Sequence, residues 1–235
     1  MNSLKLLVFL VFLVFLVVSI LVTTADKGAK WPKVLLIGDS ITQGSYTPDA
    51  PWSALLSQYF IRKADVVNRG LSGYTTRGYI REFKTAVEEL PGVNVGAVLI
   101  FLGANDCVKP PSPARVDVRE FETNLKELVH QLELHGVSKN TIIIASPAPV
   151  YGRTDRDPEP YVQVALKSAV ESNVTFLDVN ADFKKHPDHE KLFVDGLHFN
   201  SEGANFFYSL VKDPIENKLK EYKGVDQLKD NFPEP

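Results

Sequence analysis

The chain reads as an α/β protein in three layers, α/β/α, with a doubly wound sheet of five parallel strands between helices. Three observations predict this. From residue 33 onward short apolar runs alternate with helix-like segments, the pattern of strands joined by helical crossovers. The runs are apolar at consecutive positions, as in Lys33–Gly38 (KVLLIG) and 96–102 (GAVLIFL). That suits strands covered on both faces rather than on one. The segments between them are long enough for right-handed crossovers.

The elements follow in order. Lys33–Gly38 is the first strand, stopped by its glycine. Residues 51–63 form a helix opening on Pro51, where a missing N–H costs little. Residues 65–68 are a brief second strand, and 76–90 a second helix closed by Pro91-Gly92. The third strand, 96–102, runs into a proline-rich loop at 109–113. Val118, Phe121, Leu125, Leu128 and Leu132 then step by three and four, an amphipathic helix ended by Gly136. Residues 141–145 make the fourth strand, 161–172 a helix, 174–179 the fifth strand and 201–220 the last helix. No repeat or linker interrupts this order, so 26–224 read as one domain and 225–235 as a polar tail.

Residues 1–25 are of another kind. Lys5 precedes an apolar run, 6–22, broken only by Ser19 and followed by Thr23, Thr24 and Ala25. A basic residue, an apolar stretch and small residues make a signal peptide cleaved after Ala25. The alternative is an uncleaved signal anchor, since a run of about 17 residues can span a bilayer. Either reading places the domain in the secretory pathway: secreted if the leader is cut, at a membrane only if it stays. In that pathway Asn173-Val174-Thr175 is an N-glycosylation acceptor.

Composition excludes several classes. A net charge of −3 argues against a nucleic-acid surface, which needs clustered Lys and Arg. A single cysteine, Cys107, rules out an internal disulfide and a Cys-based zinc cluster. It reads as a small buried apolar residue rather than a reactive thiol. His186 and His189, in Lys-Lys-His-Pro-Asp-His, read as solvent-exposed loop residues and not as metal ligands. No metal and no cofactor is called for. Neither composition nor motif fixes an oligomeric state.

In a doubly wound sheet the ligand sits beyond the carboxyl ends of the strands, at the topological switch point. The residues just after each strand therefore matter. Gly38-Asp39-Ser40-Ile41-Thr42 follows the first strand and Asn68-Arg69-Gly70-Leu71-Ser72-Gly73 the second. Gly103-Ala104-Asn105-Asp106 follows the third, and Asp195-Gly196-Leu197-His198 precedes the last helix. Singly these are turn and capping residues. Together they put a hydroxyl, a glycine, an amide and an Asp/His pair on one edge.

The set resembles the SGNH, or GDSL-type, hydrolase superfamily over about residues 34–210, with Ser40, Gly70, Asn105 and His198 as its four namesakes. Gly-Asp-Ser-Ile-Thr-Gln, Asn-Arg-Gly-Leu-Ser-Gly-Tyr-Thr-Thr-Arg, Gly-Ala-Asn-Asp and Asp-Gly-Leu-His resemble its isoamyl acetate-hydrolysing esterase branch. The resemblance implies a flavodoxin-like sheet and a serine-dependent carboxylic ester hydrolase. Its partner would be a small-molecule ester of short-acyl, acetate type, cleaved through an acyl-enzyme. Three departures are visible. Ile41 replaces the leucine of the family name, Cys107 stands where a small polar or apolar residue is expected, and the leader is unlike the largely intracellular members.

The groups themselves can perform that chemistry. Ester cleavage needs a nucleophile, a base and donors for the oxyanion. Ser40 supplies the hydroxyl, His198 the base, and Asp195 orients the imidazole and stabilises its charged form. The donors would be the backbone N–H of Ser40 and of Gly70 and the side-chain amide of Asn105. Asp39 and Asp106 read as scaffold that holds its loops by hydrogen bonds. Tyr74, Trp52 and Phe199 are weighed as acyl-pocket lining against ordinary core. The alternatives are a deacetylase of acetylated glycans or a lysophospholipase with the same machinery, and a binding module that has lost catalysis. A flavin or nucleotide protein is disfavoured, because the turn after the first strand lacks both the dinucleotide glycine fingerprint and a P-loop lysine.

Overall fold

The computed structural model describes residues 31–223, so the leader with its cleavage site and the 225–235 tail lie outside the described residues. Five strands, β1 (Lys33–Gly38), β2 (Asp65–Gly70), β3 (Val95–Phe101), β4 (Ile142–Ala145) and β5 (Thr175–Leu177), form one sheet in the order β2-β1-β3-β4-β5. Every neighbouring pair is parallel. The chain winds from β1 out to β2, crosses back to β3, and continues outward the other way. The switch point thus lies between β1 and β3, as a doubly wound α/β/α fold requires.

Among the described residues seven α-helices accompany the strands: α1 (Ser40–Gln43), α2 (Trp52–Tyr59), α3 (Thr76–Val87), α4 (Val118–Leu134), α5 (Glu159–Ser172), α6 (Val179–Lys185) and α7 (Ser201–Lys223). Strand alternation splits the core in two. Val34, Leu36, Leu99 and Phe101 pack with Trp52, Phe183 and Phe207 of α2, α6 and α7. Leu35, Ile37, Val98 and Ile100 pack with Tyr79, Phe121 and Ala165 of α3, α4 and α5. Both faces are covered, which is why β1 and β3 are apolar at consecutive positions. Each fully buried large side chain contributes about 1.5–3 kcal/mol, so the two layers hold the sheet between them.

Local signals set the ends of α4. The Asp117 side chain accepts the Arg119 N–H at 3.0 Å, capping the first turn. After His135, Gly136 takes φ +93°, the left-handed conformation that stops a helix cheaply.

Several boundaries differ from the sequence expectation. The helix expected over 51–63 ends at Tyr59, and Arg62 in the following turn has φ +62°. Pro51 stands before that helix as its cap rather than inside it. β2 runs two residues further than expected, to Gly70, because an edge strand can carry Asn68 and Arg69 on its less buried positions. β5 is shorter than expected. Asp178 accepts the Ala181 N–H at 3.0 Å and opens α6, a helix the apolar run had concealed. His186 and His189 are not free in solvent: both are half-buried, against Phe206 and Tyr151 at ring separations of 4.8 and 5.1 Å. Among the described residues no cluster of His, Cys, Asp or Glu could hold a metal, and no helix is long and apolar enough to cross a membrane.

Candidate active site

β1 passes through Asp39 directly into α1. The Asp39 side chain accepts the Ile41 N–H at 3.0 Å. This cap makes Ser40 the first helical residue, whose own N–H has no intrahelical acceptor. Ser40 Oγ lies 2.9 Å from His198 Nε2, although 158 residues separate the two in sequence. His198 Nδ1 lies 3.0 Å from Asp195 Oδ2. The other carboxylate oxygen, Oδ1, accepts the Leu197 and His198 N–H groups at 3.0 and 2.8 Å. Asp195 therefore holds both the ring and the main chain of the histidine. The turn between them needs Gly196, at φ +77°, because a Cβ there would lie 1.7 Å from the Tyr151 carbonyl oxygen.

The end of β2 closes on α1 from the side. A Cβ on Gly70 would meet Gln43 N at 2.2 Å, so only glycine permits the approach. The Gly70 N–H, expected as an oxyanion donor, already has a partner in this structure. That N–H donates to Asn68 Oδ1 at 2.8 Å, because Asn68 folds back on the main chain two residues on. Asn68 Nδ2 in turn donates to the Thr42 carbonyl and Ser45 Oγ, at 2.6 and 2.9 Å. This side chain, which the sequence reading passed over, ties β2 to the nucleophile turn.

After β3, Asn105 Nδ2 donates to the Tyr74 carbonyl at 3.0 Å. One amide hydrogen is so engaged, and that bond fixes the plane in which the second one lies. Asp106 accepts from the Thr76 N–H and from Thr76 Oγ, at 2.9 and 2.5 Å, which seats the start of α3 against this loop. Trp52 and Phe199 are core residues, fully buried or nearly so. Tyr74 is half-buried and touches the site through its carbonyl. Cys107 is buried, and burial pushes its thiol up to about 12, so it remains protonated and unreactive.

The electrostatics divide the carboxylates by role. Burial raises Asp195, but the His198 and Leu197 N–H bonds and the His198 ring outweigh it and hold the carboxyl at about 2. It is thus an anion wherever the imidazole is to be stabilised as a cation. Burial pushes Asp39 up to about 7; the Ile41 N–H opposes this, neighbouring Asp106 adds to it, and His198 and Arg156 counter it. Burial likewise raises Asp106 to about 6 against its bonds to Thr76.

A raised carboxyl favours the protonated native state, so the contribution of Asp39 falls as pH climbs from its ordinary 3.8 through about 7. Asp39→Asn keeps an acceptor for the Ile41 N–H and removes the buried charge. Its Tm relative to wild type should therefore rise from pH 4 to pH 8. A difference that stays level across that range contradicts the assignment.

Ser40, Gly70, Asn105, Asp195 and His198 are brought to the same strand edge, with Ser40, His198 and Asp195 in hydrogen-bonded succession. Arg153, whose Nη1 lies 3.4 Å from Asp195 Oδ2, was not foreseen; no spacing rule marks an arginine 42 residues upstream of the aspartate. Residues 36–205 match the GDSL-like lipase/acylhydrolase family. The chain is 30% identical over 207 residues to an isoamyl acetate-hydrolyzing esterase 1 homolog of Homo sapiens, covering 80% of this chain and 83% of that one. It is 32% identical over 225 residues to the Mus musculus homolog, covering 85% and 90%. Among solved structures, a lipase/acylhydrolase from Enterococcus faecalis shares the fold, with TM-score 0.68, 24% identity and coverage of 86% and 100%. A catalytic mutant of an acetylxylan esterase from Geobacillus stearothermophilus matches with TM-score 0.63, 25% identity and coverage of 81% and 96%. The chain belongs to the GDSL-like lipase/acylhydrolase family and is a carboxylic ester hydrolase.

Proposed function

We propose that the chain hydrolyses small acetate-type esters through an acyl-enzyme on Ser40. The observation that carries this is the relay from Ser40 Oγ to His198 Nε2 and from His198 Nδ1 to Asp195, at 2.9 and 3.0 Å. Ser40 Oγ attacks the ester carbonyl carbon while His198 Nε2 takes its proton. The carbonyl oxygen becomes an oxyanion, met by the Ser40 N–H and the second amide hydrogen of Asn105. The Gly70 N–H joins them only by sharing its hydrogen with Asn68 Oδ1. As the carbon–oxygen bond to the alcohol breaks, His198 returns the proton to the leaving oxygen. Water then repeats the sequence on the acyl-serine and releases the acid.

The acetate preference is supported by the isoamyl acetate-hydrolyzing relatives and the acetylxylan esterase neighbour. A p-nitrophenyl series from acetate to octanoate, with isoamyl acetate and acetylated xylo-oligosaccharides beside it, tests it. We expect kcat/KM to be highest for acetyl esters and to fall about tenfold or more as the acyl chain lengthens, because a chain too long for the acyl site holds the carbonyl away from Ser40 Oγ and the oxyanion donors. A best rate on octanoate overturns the acyl assignment. A best rate on the oligosaccharides replaces small esters by acetylated glycans.

The same proposal takes residues 1–25 as a secretory leader, 26–224 as the hydrolase domain and 225–235 as its tail. Asn173 is exposed at the end of α5, in the left-handed conformation at φ +55°, a position open to a glycan. Product from a secretory host should begin near Asp26 and carry sugar at Asn173. A cytosolic product with Met1 intact contradicts this.

A further inference from the structure

The segment after β4 touches both halves of the site. Its first contact is with the histidine loop: the Tyr151 N–H donates to the Gly196 carbonyl at 2.9 Å. Its last is with the loop after β3, where Arg156 forms an antiparallel bridge to Val108. There the Lys109 N–H donates to the Asp155 carbonyl at 2.8 Å and the Asp157 N–H to the Cys107 carbonyl at 2.9 Å.

Between these two ends, three side chains run from one loop to the other. Arg153 Nη1 reaches Asp195 Oδ2, the oxygen that also faces the histidine ring, at 3.4 Å. Asp155 divides its oxygens, Oδ1 to Arg153 Nε at 3.4 Å and Oδ2 to Arg156 Nε at 3.7 Å. Arg156 Nη1 donates to the Ala104 carbonyl, one residue before Asn105. The Arg156 side chain is only 12% exposed, and its Nε makes no hydrogen bond. A buried guanidinium is costly to hold. Keeping one against a single main-chain carbonyl gives that carbonyl a fixed address.

We infer that Arg153 and Arg156, joined through Asp155, are positioning residues that set the distance between the Asn105 amide and the Asp195–His198 pair. Arg156 acts through Ala104 on Asn105, and Arg153 acts through Asp195 on His198. Neither touches the reacting atoms. The oxyanion donor and the base must meet one tetrahedral centre together, and small misplacements there are expensive: about 1 Å can cost on the order of a hundredfold. The inference rests on the proposed roles of Asn105 and His198.

The test is a double-mutant cycle on the full chain, with p-nitrophenyl acetate and with active sites titrated by a fluorophosphonate. Arg156→Gln should lower kcat per titrated site about tenfold and leave KM within about twofold. Arg156→Lys should recover little, because a point charge does not reproduce the planar fork. Asn105→Ala should cost about two to three orders of magnitude by itself. In the Asn105→Ala background the Arg156→Gln loss should largely vanish, since a residue acting through Asn105 has nothing left to position. The paired cycle of Arg153→Gln with Asp195→Asn should behave alike. If the Arg156→Gln loss persists in full beside a costly Asn105→Ala, the positioning role falls while the oxyanion reading stands. If Asn105→Ala costs nothing, the oxyanion reading falls and the positioning role with it. A loss of titratable sites with normal kcat per site reduces Arg156 to a folding residue and also overturns the proposal.

Discussion

Ser40→Ala should fold as the wild type does and lose turnover by about four to six orders of magnitude, the range seen when a serine hydrolase loses its nucleophile. The side chain makes one hydrogen bond, to His198 Nε2. The cap of α1 belongs to Asp39 and is untouched by the change. Alanine is also a good helix former, so Tm should hold. The remaining rate comes from the oxyanion donors and from binding, which persist without the hydroxyl. The measurement is kcat for p-nitrophenyl acetate on protein of verified purity, with fluorophosphonate labelling as a second readout. A variant that keeps a tenth of wild-type activity removes Ser40 from the proposed role.

Asp195→Asn should be the next most damaging change, by about four orders of magnitude. The reason lies in what each oxygen does. Oδ1 accepts two main-chain N–H groups and an asparagine carbonyl oxygen can replace it. The amide nitrogen is then left facing His198 Nδ1, where Oδ2 stood. A donor at that place favours the ring tautomer with its hydrogen on Nε2. Such a ring presents N–H, not a lone pair, to Ser40 Oγ. It also brings the new NH2 against the Arg153 guanidinium, which had faced Oδ2. The loop keeps its shape and the base is lost. A kcat within tenfold of wild type would mean that the main chain alone orients the histidine.

Much of this was legible in the residues, for identifiable physical reasons. The buried strands declared themselves because β1 and β3 are covered on both faces and so carry apolar residues in succession. The four loop blocks stood out because each follows or precedes a regular element at the edge where doubly wound sheets bind ligands. What stayed hidden depends on side chains meeting across the fold. That the Gly70 N–H is taken by Asn68 follows from a local fold-back that glycine permits but does not announce. Arg153, Asp155 and Arg156 lie in a loop rich in turn formers, and nothing in their spacing points at Asp195 or Ala104. Helix α6 was missed because Val179 looked like the end of a strand. Phe183, four residues on, was the helical signal, with Asp178 as its cap.

The histidine and aspartate side chains are 42% and 43% exposed, and this openness bears on the fate of the acyl group. Once the alcohol departs, the imidazole faces solvent, and the nearest available acceptor is bulk water. A second alcohol would have to find the acyl-serine in competition with that reservoir. Enzymes that pass acyl groups between alcohols must shelter the intermediate, because a dry site prevents hydrolysis of reactive species. An imidazole standing this far into water leaves the acyl-serine open to hydrolysis.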